Sequence, residues 1–214
     1  SAYRSLLRSH EVITPAFVED IGAQHGYEPR NKHEGVPTIG FSGMVGLPDL
    51  HKEIRYHLRL LRQWARIKFA AASPASYQGL YYRRKAINLI EKSTLCDGYF
   101  HVRKSWSRSE KTIGGNPEQF RKEFIDSIVN ADLALVVRGD GNFSLRLFEV
   151  LSLGRIPLFI DTDANLPLED EIDYDSFMVR VDHTELERLP QIVSEWWANI
   201  SPEEYIAMQK RARD

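Results

Sequence analysis

Residues 131–160 constrain this chain more than any other stretch. A short aliphatic run, residues 133–137, reads as a buried strand. It stops at Arg138, and Gly139 and Gly141 then permit a tight turn in which the main chain can come close to a ligand. Ser144 is placed to cap a helix that runs to Leu153, and Gly154 suits its end. A second apolar strand, residues 156–160, follows at once. Strand, glycine turn, helix and strand make a parallel crossover, and parallel strands require cover on both faces.

The physics of that turn favours an anion. N–H groups between Gly141 and Ser144 and the positive end of the helix dipole meet at the carboxyl end of a strand. Arg138 and Arg146 add charge, and Arg146 shares a helix face with Glu149 three residues on. Glu149 is an acceptor more than a turn inside the helix, which suits a ribose diol while the arginines and N–H groups hold a diphosphate. The plain alternatives are a surface pair between Arg146 and Glu149, and Asp140 and Asn142 as ordinary turn residues. The turn is neither a Walker loop, lacking a closing Gly-Lys-Ser/Thr, nor the dinucleotide fingerprint.

The run RGDGNFSLRLFEVLSLGRIPLFIDTD, followed by LPLEDEIDYDSFMVRV and then ISPEEYIAMQKRAR, resembles the C-terminal half of exostosin-family glycosyltransferases. The likeness is closest over residues 131–213 and looser back to 35. It implies an α/β, Rossmann-like, mostly parallel sheet with helices on both faces, the donor-binding lobe of a GT-B glycosyltransferase. It further implies transfer of a hexosyl or pentosyl group from a UDP-linked sugar to a glycan acceptor with inversion. The donor set carried over is Arg138, Gly139, Gly141, Asn142, Ser144, Arg146 and Glu149. Ile54-Arg55 matches an Ile-Arg of the family, which adds Arg55, and Gly43 lies in the loop after the first strand. The catalytic base is expected from another lobe or chain. No metal and no tightly held cofactor is called for. The alternative is a non-catalytic nucleotide-sugar-binding or scaffolding module beside an active partner. A sugar-phosphate enzyme would need a nucleophile or metal ligands at the strand ends, and none is found.

A net charge of −2 gives no case for nucleic acid. No apolar run approaches the roughly 20 residues that cross a bilayer. Cys96 is the sole cysteine, and Val136, Val137 and Arg155 stand where secretory relatives carry cysteines. A reducing cytoplasm of bacterial or viral type, with the chain at most peripheral to a membrane, is therefore expected over a Golgi lumen. The start at Ser1-Ala2 and the stop at Asp214 are expected to be cuts.

Residues 1–34 are expected to be a linker or remnant of another lobe, and 35–214 the nucleotide-sugar domain. Within 1–34, a helix over 3–9 and a strand over 12–15 are read. Further strands are expected at 38–44, 69–72, 98–102 and 177–181, and helices at 50–67, 78–93, 117–130, 186–199 and 202–213. His101, Arg103, Trp106 and Arg108 sit where a donor base or acceptor is touched; Asp161 or Asp163 can face the sugar or cap a loop. Trp196 and Trp197 are read as core.

Overall fold

The computed structural model describes Arg4 and residues 13–15, 17–26, 28–47, 50–69, 79–104, 116–139 and 141–214. Its centre is a five-stranded sheet of β1 (Thr38–Met44), β2 (Asp97–Arg103), β3 (Leu133–Val136), β4 (Pro157–Asp161) and β5 (Val179–Asp182), in the order β2-β1-β3-β4-β5. All four pairings are parallel. The helices are α1 (Ile21–His25), α2 (Leu50–Phe69), α3 (Gly79–Glu91), α4 (Pro117–Val129), α5 (Leu145–Ser152), α6 (Leu189–Asn199) and α7 (Pro202–Arg213). The expected doubly covered parallel sheet is therefore present.

Strand periodicity divides the core. Leu133 and Leu135 of β3 and Leu158 and Ile160 of β4 pack on one face against Tyr82, Ala86 and Ile90 of α3 and Val193 and Trp197 of α6. Ala134, Val136 and Phe159 point the other way, onto Ile128 of α4 and Leu147 and Val150 of α5. Gly40 lets α4 approach, since a Cβ there would lie 1.7 Å from the Ser127 carbonyl oxygen. Asn116 caps α4 by accepting from the Glu118 N–H at 2.9 Å, with Pro117 at the first helical position.

The closing helix staples the amino-terminal edge of the sheet. The hydroxyl of buried Tyr205 donates to the Asp132 carbonyl at 3.0 Å. Gln209, fully buried, accepts from the Arg30 N–H and from Arg155 and donates back to the Arg30 carbonyl. The His33 ring meets Asp132 at 2.8 Å, and the Trp197 indole donates to the Gly35 carbonyl. Ile21 sits in the second core cluster and Asp20 pairs with Arg213, so packing is continuous across position 35.

Several boundaries differ from expectation. Phe69 ends α2, and the rest of the strand read at 69–72 lies outside the described residues. Residues 13–15 are irregular, and the helix read at 3–9 lies outside the described residues except for Arg4. β5 begins at Val179 because Phe177 closes a 3-10 turn, and residues 183–188 form a 3-10 helix ahead of α6. Trp197 is core, while Trp196 is half-buried beside it.

Candidate functional site

In this strand order the sheet switches direction between β1 and β3, and a crevice opens outside their carboxyl ends. A cleft of about 520 Å³ lies there, lined by Ser42, Gly43 and Met44 at the end of β1, where Gly43 belongs to the strand rather than to the loop after it, by Val137, Gly139 and Gly141 after β3, and by Ser144 just before α5 and Arg146 and Glu149 within it. Arg83 of α3, Arg103 of β2 and Phe120, Arg121 and Phe124 of α4 complete the wall.

The cleft is built around cations. Arg146 lies over the Phe41 ring at 4.3 Å and donates to the Ser42 carbonyl. Burial, and then the neighbouring charge of Arg83, pull its pKa down to about 9. A guanidinium remains charged at neutral pH even so. Arg83 donates to the Arg138 carbonyl at 3.0 Å. Arg103 pairs with Glu123 at 2.7 Å and stacks over Phe120 at 4.2 Å. Glu149 faces the same space, and its carboxylate makes no hydrogen bond or ion pair among the described residues. Arg146 and Glu149 are thus not the surface pair that their spacing permits, because Arg146 is drawn across to β1.

The glycine turn closes through the Gly139 N–H, which donates to the Phe143 carbonyl at 2.9 Å. The N–H groups of Gly141, Phe143 and Ser144 donate to no backbone acceptor among the described residues. A Cβ on Gly141 would meet nothing within 4 Å, so the protein's own packing does not demand glycine there. On Gly43 it would stand 3.1 Å from the Arg146 guanidinium. Ser144 occupies the position before α5, yet its side chain makes no capping bond. Asp140 lies outside the described residues.

Other expected site residues lie elsewhere. The Arg138 side chain is buried beneath the turn and lines a separate small space of about 10 Å³ with Leu147, Phe159 and Pro167. Asn142 is buried, donates to the Thr162 and Asp163 carbonyls at 2.9 Å and accepts from the Thr162 hydroxyl. It holds the turn to the loop after β4. Arg55 is exposed on α2 and does not line the cleft. Asp161 is buried, accepts from the Ala164 N–H and pairs with Arg4 and Arg180, which also hold Glu169. His101 packs edge-on to Tyr99 on β2, whereas Trp106 and Arg108 lie outside the described residues.

Sequence reasoning placed Arg83 only on the helix expected at 78–93 and did not single it out for the site. A signal was available in Gly79, four positions earlier. A Cβ there would lie 2.1 Å from the Arg138 carbonyl oxygen, so α3 begins hard against the end of β3 and its next turn enters the cleft.

Among known families, the model of the Exostosin GT47 domain matches residues 15–196. No curated protein matches the chain.

Proposed function

Because this chain belongs to the Exostosin GT47 family, whose activity is glycosyl transfer, we propose that its cleft binds the nucleoside diphosphate of a sugar donor. The observation that carries the reading is the Glu149 carboxylate, which makes no hydrogen bond or ion pair among the described residues, in a cleft walled by the guanidiniums of Arg83, Arg103 and Arg146. The guanidiniums and the N–H groups of Gly141, Phe143 and Ser144 take the diphosphate, and Glu149 takes the ribose diol. Ser144 donates its hydroxyl to a phosphate oxygen, and Gly43 leaves room beside Arg146. Arg138 and Asn142 act from beneath, holding the shape of the turn.

The donor is UDP-linked, the acceptor a glycan, and the transfer inverting. As the bond from the sugar to the diphosphate breaks, negative charge grows on the leaving oxygen, and cations already fixed in the cleft wall stabilise it. This supplies what a divalent metal would otherwise supply, so neither metal nor resident cofactor is called for. The base that removes the acceptor proton comes from a second lobe or chain facing the cleft, reached through the segment before residue 35. A reducing compartment suits Cys96, whose thiol burial pushes up to about 11.

Calorimetric titration with UDP, GDP, CDP and their sugars tests the reading. It requires UDP to bind and Glu149→Ala to weaken that binding. Equal, weak responses to all three diphosphates, unchanged by Glu149→Ala, would leave a scaffold that has kept the family's fold.

A further inference from the structure

Helix α2 stands apart from the cleft chemistry. It is 20 residues long, with Glu53 its only acid, and it has three distinct faces. Tyr56 is its one buried residue, under the Arg84 guanidinium at 4.6 Å, while Glu53 accepts two hydrogen bonds from Arg84. That face fastens the helix to α3.

The second face is apolar and uncovered. Leu50, Ile54, Leu58 and Leu61 follow the helical repeat and are 76%, 50%, 50% and 61% exposed. Trp64 and Phe69 extend the row, 48% and 76% exposed, and the Lys68 ammonium lies over the Trp64 ring at 5.0 Å. Isolated exposed leucines are ordinary, but a continuous stripe of this length marks a contact surface.

The third face is cationic. Arg55, Arg59, Arg62 and Arg66 recur at spacings of four, three and four, about a third of a turn round from the apolar stripe. All four are exposed, and none makes an ion pair with a described residue. α2 is not apolar enough to cross a bilayer. An exposed apolar stripe edged by unneutralised arginines is the pattern of a helix lying in the plane of an anionic lipid surface.

We propose that α2 docks this protein on a membrane carrying anionic phospholipid. The apolar stripe enters the acyl boundary, the arginine row meets the phosphates, and the Tyr56 face keeps the domain above. Charge complementarity selects this occupant over a second copy of the chain. Two copies joined antiparallel through the stripe would bring their arginine rows to the same side with no acid of the helix between them. Joined parallel, they would leave each row facing its partner's flank without a matching acid row. The inference does not depend on what the cleft binds.

Flotation of the full chain with vesicles of phosphatidylcholine, with and without phosphatidylserine, is the test. Binding to phosphatidylserine vesicles that weakens with salt is expected. Leu58→Glu with Leu61→Glu should abolish it. Arg59→Gln with Arg62→Gln should weaken it roughly 25-fold, at about fivefold per arginine. Both variants change only exposed side chains, so unaltered thermal melts distinguish lost docking from lost folding. The proposal is overturned if phosphatidylserine vesicles are not bound, or if both variants bind as the parent does. It is equally overturned if sedimentation shows a dimer that the leucine variant dissociates.

Discussion

Arg146 of α5 donates to the main-chain carbonyl of Ser42 at the end of β1. One guanidinium therefore spans the switch point of the sheet and also lines the cleft that opens there. Its planar fork can hold the carbonyl with one edge and present another to a ligand, which an ammonium cannot do. Arg146→Lys should weaken UDP binding about tenfold, and Arg146→Ala about a hundredfold, or ~3 kcal/mol, the range for a hydrogen bond to a charged group. Calorimetry beside a thermal melt measures both, and the melt should also fall modestly because the β1 contact is lost. Affinity unchanged in the alanine variant would remove Arg146 from the site.

Glu149 is assigned to the ribose, which makes a sharper demand than loss of affinity. The parent chain should prefer UDP over 2′-deoxy-UDP by roughly tenfold, one charge-assisted hydrogen bond. Glu149→Ala should bind both equally. A preference retained in the variant would place the ribose elsewhere in the cleft.

The central crossover was legible because buried parallel strands read as short aliphatic runs and because Gly154, at a φ of 56°, ends α5 where expected. The two helices between β1 and β2 were legible as elements, but not which of them lines the cleft. Both α2 and α3 carry arginines on an amphipathic repeat, and the family's Ile-Arg step pointed to Arg55. Which helix covers the sheet is a tertiary outcome, and it is α3, with Arg83, that packs on the core. Asn142 shows a second limit. Its side chain is committed to Thr162 and Asp163, 20 and 21 residues away, and no local pattern announces such a bond. The cluster of Arg4, Asp161, Glu169 and Arg180 was hidden for the same reason.

His33 makes folding sensitive to pH. Its Nδ1 lies 2.7 Å from the Glu34 carbonyl oxygen and its Nε2 2.8 Å from an Asp132 carboxylate oxygen. Both contacts are satisfied together only when both nitrogens carry protons. The Glu34 carbonyl, and then Asp132, hold the pKa above the ordinary value against the opposing effect of burial. The folded state therefore binds the proton more tightly than the unfolded chain. This contribution is complete below about pH 6.5 and fades as pH rises through the folded value. Thermal melts of the parent should fall across that window relative to those of His33→Gln. Parallel profiles would show that His33 contributes nothing to the dependence.

Gln209 serves four partners from a fully buried position: the N–H and carbonyl of Arg30, the Arg155 guanidinium and the Tyr205 carbonyl. Gln209→Leu keeps the volume and removes every one of these bonds. The guanidinium of buried Arg155 keeps its bond to the Glu28 carbonyl but loses the one to Gln209. A loss of about 3 kcal/mol is expected in denaturant titration, the range for leaving buried polar and charged groups unsatisfied. Tyr205→Phe, which removes one hydroxyl bond, should cost only about 1 kcal/mol. Equal losses in the two variants would show that packing, not hydrogen bonding, dominates at this edge.

Asn142→Asp separates the shape of the turn from its charge. The amide donates to two carbonyls, and a carboxylate cannot donate to either. It would face two carbonyl oxygens in a buried place, at a cost of about 2–3 kcal/mol. The damage should reach the ligand, because the same turn supplies Gly141, Phe143 and Ser144 to the cleft lining. UDP affinity should therefore fall even though Asn142 itself lies outside the cleft lining. Asn142→Ala provides the comparison. It loses the staple without adding a charge, so its affinity loss reports the turn's geometry alone. If Asn142→Ala binds UDP as the parent does, the turn keeps its shape without the staple, and any loss in Asn142→Asp is electrostatic.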